Sequence, residues 1–247
     1  MRQLVRILTA VALAAATTLS VVAFAASPAS ADACYTWSRT LKRGMSGGDV
    51  KVLQIRVAGW VSYGENLAID GQFGPATEAA VKRFKNGYNV GTQTNGIAGS
   101  AVFSKLYDLQ DADCTPIHFA HSEFNYSCGE RDYTGGNVSA STAKSNMIRV
   151  MWQLEALRKK LGSRPIAINS GFRSLACNRS VGSSDSSLHT YGKAADLGTG
   201  SGPTLCEMWR ASRYAGFEEI LGPGYPNHGD HTHVGNKSSR FWSASRC

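Results

Sequence analysis

The chain has 247 residues and a formal net charge of +8. It contains no run of Lys and Arg of the kind that follows a phosphate backbone, which argues against nucleic acid as a partner. Beyond the first 31 residues, no stretch is apolar enough to span a bilayer.

Residues 1–31 have the pattern of a secretory signal peptide. Arg2 and Arg6 precede an apolar run, and the segment ends in the small residues Ala29-Ser30-Ala31. A membrane anchor is the alternative, but the Ala-x-Ala exit and the missing stop-transfer flank favour a signal peptide. We therefore expect a secreted mature protein that starts near Asp32 and is long enough for one large or two small domains.

The mature chain is moderately basic, because the net charge falls from +8 to +6 when Arg2 and Arg6 are removed. A charge of this sign suits a polyanionic surface such as a bacterial cell wall. Solubility without any charged partner is an equally good explanation for a net charge of this size. We expect a monomer with no membrane contact after signal cleavage.

The first part of the chain, residues 41–106, combines short helix signals with glycine turns and contains a repeat. Residues 70–75 (Asp-Gly-Gln-Phe-Gly-Pro) are echoed by residues 95–100 (Asn-Gly-Ile-Ala-Gly-Ser), and each turn leads into a helix. A further helix is expected earlier, with Asp49 as its cap. The apolar stripes of the two repeated helices are Ala80, Val81 and Phe84, and Val102, Phe103 and Leu106. Three short helices around one small core are predicted.

Residues 108–113 are short, polar and acidic, and we place the seam between two domains there. The predicted organisation is a signal peptide at 1–31, a helical domain at 32–113 and a second domain at 114–247. The elements expected in the second domain are a long amphipathic helix at 141–160 that Gly162 ends, a strand at 166–172, a Ser/Gly-rich loop at 177–187, a helix at 203–214, and strands at 217–221 and 231–234. This order predicts an α+β fold with helices on a small, mostly antiparallel sheet.

The cysteines all follow the predicted cleavage site. An even number in an exported chain argues for three disulfides, and none has the spacing of a zinc thiolate pair. The six are Cys34, Cys114, Cys128, Cys177, Cys206 and Cys247. Sequence alone leaves many pairings open, although Cys34 and Cys114 bracket the first half and are favoured as partners.

Four of the six histidines fall in two short segments, which together predict a metal site. Residues 187–196 contain His189 and Asp196, and residues 228–233 contain His228, His231 and His233. Catalytic zinc takes three protein ligands, mostly imidazole and carboxylate, and keeps one position open. His189, Asp196 and His233 are the predicted zinc ligands. His118 and His121, the remaining two histidines, are expected to be surface or packing residues.

Other polar residues near these segments have candidate catalytic roles. Asp230 is a candidate general base for a water proton, and a turn residue is its alternative role. His228 is a candidate donor to a developing oxyanion and His231 a second histidine of the cleft, although either can instead support the loop. Arg173, at the end of a predicted strand, is suited to a bidentate grip on a carboxylate or carbonyl.

The first domain resembles the three-helix type of peptidoglycan-binding domain. The pattern Gly-x-x-Gly-x-x-Val-x-x-Leu-Gln corresponds to residues 44–54, and Asp-Gly-x-Phe-Gly-Pro-x-Thr to residues 70–77. The resemblance implies binding to the cell wall, whereas a helical domain that only supports the second half is the alternative.

The second domain resembles the zinc D-alanyl-D-alanine carboxypeptidases secreted by actinomycetes, which are related to vancomycin-resistance dipeptidases. The motifs that carry the resemblance are Ser-x-His-x6-Asp at 187–196, Asp-His-x-His at 230–233 and Ser-Gly-Phe-Arg-Ser at 170–174. The resemblance implies one zinc ion on His189, Asp196 and His233, catalytic roles for His228 and Asp230, and peptide binding by Arg173. Wider relatives often have Glu where Asp230 stands.

The same resemblance implies the disulfides Cys34–Cys114, Cys128–Cys177 and Cys206–Cys247. It also implies hydrolysis of an amide bond next to a D-alanine of peptidoglycan stem peptides. An endopeptidase that cuts cross-links or the L-Ala-D-Glu bond is the alternative within the enzyme class. Outside the enzyme class, the alternative is a wall-binding protein that keeps zinc only for its structure. Structural zinc usually has four protein ligands, which argues against this alternative.

Overall fold

A helical part comes first along the chain, and a part in which helices flank one sheet follows it. The computed structural model describes residues 34–91, 95–129 and 131–247, so the predicted signal peptide lies outside the described residues. The described residues all belong to one compact unit. None of the helices in these ranges is long and apolar enough to cross a membrane.

The helical part contains the three predicted helices. They are α1 (Gly48–Arg56), α2 (Pro75–Tyr88) and α3 (Ser100–Asp108). Pro75 occupies the first turn of α2, as predicted, where its missing N–H costs nothing. The predicted cap of α1 is wrong: Gly47 is the N-cap, and Asp49 lies in the first turn. The Asp49 carboxylate instead accepts a hydrogen bond of 2.6 Å from Nε of Arg39.

The three helices enclose one apolar core. The predicted stripes of α2 and α3 are all buried. Trp152 and Ala156 also belong to this core, although they come from a helix of the second part. That helix therefore packs against both parts of the chain, because its other face contributes Met147, Val150, Met151, Leu154 and Leu157 to the second core.

The second part has the predicted α+β composition. Its helices are α4 (His121–Phe124), α5 (Ala140–Lys160), α6 (Leu175–Ser180) and α7 (Leu205–Ser212), and its strands are β1 (Ala167–Ser170), β2 (Ala194–Gly198), β3 (Glu219–Leu221), β4 (Thr232–Gly235) and β5 (Phe241–Ser243). Short 3-10 turns lie at Ser127–Gly129 and Leu188–Tyr191. Ser139 caps the long helix α5, and Gly162 follows it in the left-handed conformation that ends a helix well.

The strands form one sheet in the order β1-β2-β4-β3-β5. The pairs β1–β2, β2–β4 and β3–β4 are antiparallel, whereas β3–β5 is parallel, so the predicted mostly antiparallel sheet is confirmed. The predicted loop at 177–187 is wrong in its first residues, because Ser174 caps a helical turn that includes Cys177. Strand β5 has only three residues, and the sequence does not predict it.

Three disulfides join the cysteines in the pairs that the resemblance implies. They are Cys34–Cys114, Cys128–Cys177 and Cys206–Cys247. The first links the start of the described chain to the junction between the two parts, across 80 residues. The second links α6 to the segment after α4, and the third links α7 to the last residue.

Candidate metal centre

Three side chains converge where β2 and β4 pair. In the antiparallel register Asp196 lies opposite His233, and the 3-10 turn Leu188–Tyr191 brings His189 beside them. Oδ1 of Asp196 is 3.1 Å from Nε2 of His189 and 2.9 Å from Nδ1 of His233. The two ring nitrogens are 3.2 Å apart. His189, Asp196 and His233 thus form a group that can hold a metal ion.

The donor chemistry of this group fits zinc. All three residues are buried, with 1%, 6% and 6% of the surface of His189, Asp196 and His233 exposed. Nδ1 of His189 is 2.5 Å from the Gly171 carbonyl and donates to it, which leaves a lone pair on Nε2. Two imidazole nitrogens and a carboxylate oxygen facing one another in a buried site need a cation between them.

Glu219 lies next to His233, on the side of the ring that faces away from Asp196, and the sequence alone does not identify it. Its Oε1 atom is 3.4 Å from Nε2 of His233, the ring nitrogen that faces away from Asp196. Lys237 makes an ion pair with the same carboxylate. A carboxylate behind a ligating histidine fixes the ring and raises its basicity. The sequence places Glu219 in a predicted strand, but nothing in the pattern shows which strand lies next to it.

The charges within the group stabilise one another. Burial disfavours a charge on Asp196 and by itself would raise its pKa. The interactions with His189 and His233 are stronger than this effect and hold the pKa of the carboxyl well below its usual range. Burial likewise opposes a charge on His233, whereas Asp196 and Glu219 raise its pKa to about 9. Burial lowers the pKa of His189. The site therefore keeps Asp196 ionised and attracts a positive charge to the space between the three ligand atoms.

Arg173 reaches the same group from the segment after β1. Its Nη1 atom is 3.4 Å from Oδ2 of Asp196 and 3.3 Å from Oγ of Ser170. Its Nε atom is buried and has no hydrogen-bond partner among the described residues. Burial lowers the pKa of this guanidinium, although Asp196 opposes the shift. Arg173 therefore has a donor available for a ligand beside the predicted metal ligands.

The segment before β4 places two histidines on the open side of the group. Nε2 of His231 is 3.7 Å from Oδ1 of Asp196, and its Nδ1 atom donates to Asp230 over 2.8 Å. The Asp230 side chain is 88% exposed, so Asp230 contacts His231 from the solvent side. The ring of His228 is 4.7 Å from that of His231 and 5.9 Å from that of His233.

The tautomer of His228 limits what this residue can do. Its Nδ1 atom donates to the carbonyl of Pro226 over 2.7 Å, and burial lowers its pKa. A neutral ring that donates from Nδ1 has a lone pair on Nε2. Neutral His228 can therefore accept a proton through Nε2, but it can donate to an oxyanion through this atom only after it is protonated.

The two remaining histidines lie away from the metal centre. Nδ1 of His118 is 3.0 Å from both carboxylate oxygens of Glu155. Nδ1 of His121 is 2.7 Å from the hydroxyl of Tyr133. Both have structural partners, as the sequence predicted.

Comparisons with known proteins agree with this description. Residues 46–106 match the family described as a putative peptidoglycan binding domain, and residues 117–235 match the peptidase M15 family. The chain is 55% identical over 216 residues to the zinc D-Ala-D-Ala carboxypeptidase of Streptomyces albus G, which covers 87% of this chain and 83% of that protein. The matched domains and the site define a metallopeptidase with a peptidoglycan-binding domain. The chain belongs to the peptidase M15 family, and the resemblance found in its sequence is confirmed.

Proposed function

We propose that this chain is a secreted zinc carboxypeptidase that hydrolyses the D-Ala-D-Ala, or a related, amide bond of peptidoglycan stem peptides. The observation that carries the proposal is the buried group of His189, Asp196 and His233, whose ligand atoms lie within 4.8 Å of one another. The relative from Streptomyces albus G, which this chain matches over 83% of that protein's length, is named for this activity. The predicted signal peptide and the peptidoglycan-binding match support action at the cell wall.

His189, Asp196 and His233 would hold one zinc ion through the two ring nitrogens and the carboxylate that face one another. When bound, zinc supplies Lewis-acid chemistry, which polarises a carbonyl and makes water acidic near neutral pH. Glu219 orients His233, and the Gly171 carbonyl fixes the tautomer of His189.

Asp230 and His231 form the proton-accepting pair in this proposal. Asp230 accepts a hydrogen bond from Nδ1 of His231, which leaves a lone pair on the Nε2 atom that faces the metal ligands. A proton taken up at the open side of the site is then shared across the pair and returned to the leaving amine. His228 offers a second lone pair beside His231, and it can steady a developing negative charge once it is protonated.

Arg173 binds the carboxylate end of the peptide in this proposal. Its Nη1 atom lies beside Asp196 and its side chain is 14% exposed, so a bound carboxylate can accept a hydrogen bond from the guanidinium next to the reacting bond. Arginine is suited to this role because its planar fork matches a carboxylate. Orientation of the anionic end would bring the scissile carbonyl next to His189, Asp196 and His233, the residues that would hold zinc.

Mass spectrometry of purified wall fragments after incubation with the mature protein tests the proposal. A carboxypeptidase releases free D-alanine, and a chelator abolishes the release. Stem fragments without free D-alanine indicate the endopeptidase alternative. An unchanged substrate, with zinc bound in stoichiometric amount, indicates a wall-binding protein and contradicts the proposal.

A further inference from the structure

A cleft of about 780 Å³ lies where the helical part meets the peptidase part. One wall comes from the segment after α1 and from α2, and it includes Ser62, Tyr63 and Arg83. The other wall comes from α7 and the residues after it, and it includes Arg210, Arg213 and Tyr214. The cleft shares no residue with the metal centre, so that site does not explain it.

The lining of the cleft is strongly basic. Arg83, Lys160, Arg210 and Arg213 line it together with a single acid, Glu207. That acid is already paired, because Oε1 of Glu207 is 2.8 Å from Nη2 of Arg164. Burial lowers the pKa of Lys160 to about 7, so the excess of positive charge in the cleft comes from its arginines.

Neither Arg213 nor Arg210 pairs with an Asp or Glu side chain among the described residues. Arg213 donates from Nε to the Arg210 carbonyl over 3.2 Å, and its guanidinium lies over the rings of Trp209 and Tyr63. Arg210 donates to a terminal carboxylate oxygen of Cys247, the last residue of the chain. Each guanidinium has five N–H donors, so both retain donors for an anion after these contacts.

The other two cations are engaged in structural contacts. Arg83 is 3.6 Å from Glu65 and also contacts the hydroxyl of Ser62. Lys160 donates over 2.5 Å to the Gly59 carbonyl and also to the Tyr214 carbonyl. Lys160 thus connects the two walls of the cleft, and Arg210 and Arg213 remain the groups best placed to bind a ligand.

Aromatic rings beside these arginines favour a ligand that also has a ring. Tyr63 is 53% exposed and Tyr214 is 46% exposed, and their centroids are 5.3 Å apart across the two walls. Exposed tyrosines present an apolar face and a polar edge, which suits a sugar ring with hydroxyl groups at its rim.

We propose that this cleft is a second binding site, which takes an acidic muropeptide of peptidoglycan, a sugar ring with free carboxylates. The carboxylates bind Arg210 and Arg213, and the sugar packs against Tyr63 and Tyr214. The ligand is assigned to peptidoglycan because the helical part, which forms one side of the cleft, matches a peptidoglycan-binding family. This assignment rests on the proposed function. The cleft then holds the wall polymer on both parts of the chain at once.

Isothermal titration of the mature protein with N-acetylmuramyl-L-alanyl-D-glutamate, which has two free carboxylates, tests the proposal. We expect Arg213→Gln and Arg210→Gln each to weaken binding by about tenfold, because each removes a charge-assisted hydrogen bond to the carboxylate. Arg43→Gln is the matched control: its side chain is 64% exposed and it does not line the cleft. This control should bind like the wild type.

Two further measurements separate this proposal from a folding defect and from the proposed function. Melting temperature and circular dichroism identify a variant that fails to fold. If Arg213→Gln fails to fold, Arg210→Gln still tests the proposal, because Arg210 is exposed and its replacement should not disturb the core. Turnover of a soluble peptide ending in D-Ala-D-Ala should be unchanged in both variants. Binding by folded Arg210→Gln and Arg213→Gln that equals the wild type overturns the proposal. Equal affinity for neutral N-acetylglucosamine, or binding of poly(glycerol phosphate) alone, also overturns it.

Discussion

His231 lies between Asp230 and the metal ligands. Its Nδ1 atom donates to the Asp230 carboxylate over 2.8 Å, and its Nε2 atom is 3.7 Å from Oδ1 of Asp196. The hydrogen bond to His231 lowers the pKa of Asp230, so this carboxyl is ionised at neutral pH. An exposed carboxylate can in this way act on a histidine close to the predicted metal ligands.

We expect Asp230→Asn to bind zinc almost normally and to lose activity by a factor of about 10²–10⁴, because the amide keeps the shape but cannot share the proton. The measurements are kcat/KM on a D-Ala-D-Ala peptide and zinc content per chain. Asp108→Asn, at an exposed residue of α3, is the control and should remain active. Near wild-type activity of Asp230→Asn would show that His231 or His228 accepts the proton without help from Asp230.

The ligand assignment predicts loss of metal. We expect His189→Ala, Asp196→Ala and His233→Ala to lose zinc and activity, because each leaves only two protein ligands. Atomic absorption after gel filtration measures the zinc content. His118→Ala, which lies outside the group and contacts Glu155, should retain one zinc per chain. Wild-type zinc affinity in any of the three variants would show that the assignment is wrong.

Glu219 is expected to tune zinc affinity without binding zinc. Glu219→Gln removes the negative charge 3.4 Å from Nε2 of His233 and should weaken zinc binding by about 10–100-fold. Competition with a chromophoric chelator measures this affinity independently of activity. Glu218→Gln is the control from the preceding position, because the Glu218 side chain contacts Asn66 instead. Equal zinc affinity in the two variants would contradict the role of Glu219.

The Cys34–Cys114 disulfide is expected to stabilise the mature protein. Replacing both cysteines by Ser should destabilise it by about 2–5 kcal/mol, because the bridge closes a long loop and restricts the unfolded chain. Thermal and urea denaturation measure the change. Zinc content should stay the same, since neither cysteine belongs to the metal group. An unchanged unfolding transition would show that the bridge adds little to stability.

The sequence predicts local features of this fold well. Pro75 and the glycine turns mark helix starts, and the apolar spacing along α5 marks one buried face. Histidines and carboxylates are uncommon enough that their grouping in two short segments points to a metal site. Helix caps are less certain, as Asp49 shows, because Arg39 competes for its carboxylate.

Features that depend on strand order were not predictable in the same way. Glu219 reaches His233 because β3 lies beside β4, and no local pattern encodes that neighbour. The basic cleft likewise combines Tyr63 with Tyr214, which are far apart in the sequence. Tautomers also require a structure, since the Pro226 carbonyl determines which nitrogen of His228 has the lone pair.

Arg173 distinguishes a carboxypeptidase from an endopeptidase, because only the former needs a free carboxylate at the end of its substrate. Arg173→Lys keeps the positive charge but removes the planar fork and the Nε–H that has no partner among the described residues. We therefore expect its kcat/KM on a D-Ala-D-Ala terminus to fall by at least about tenfold.

The contact between Arg173 and the terminus is isolated by measuring both enzymes on the free acid and on the terminal amide. Amidation should greatly reduce wild-type kcat/KM and have little further effect on Arg173→Lys, since groups in contact are not additive. The comparison also cancels any change that Arg173→Lys causes at Asp196, 3.4 Å away, because that change affects both substrates. Additive losses would mean that Arg173 does not contact the terminus, and they would favour an endopeptidase.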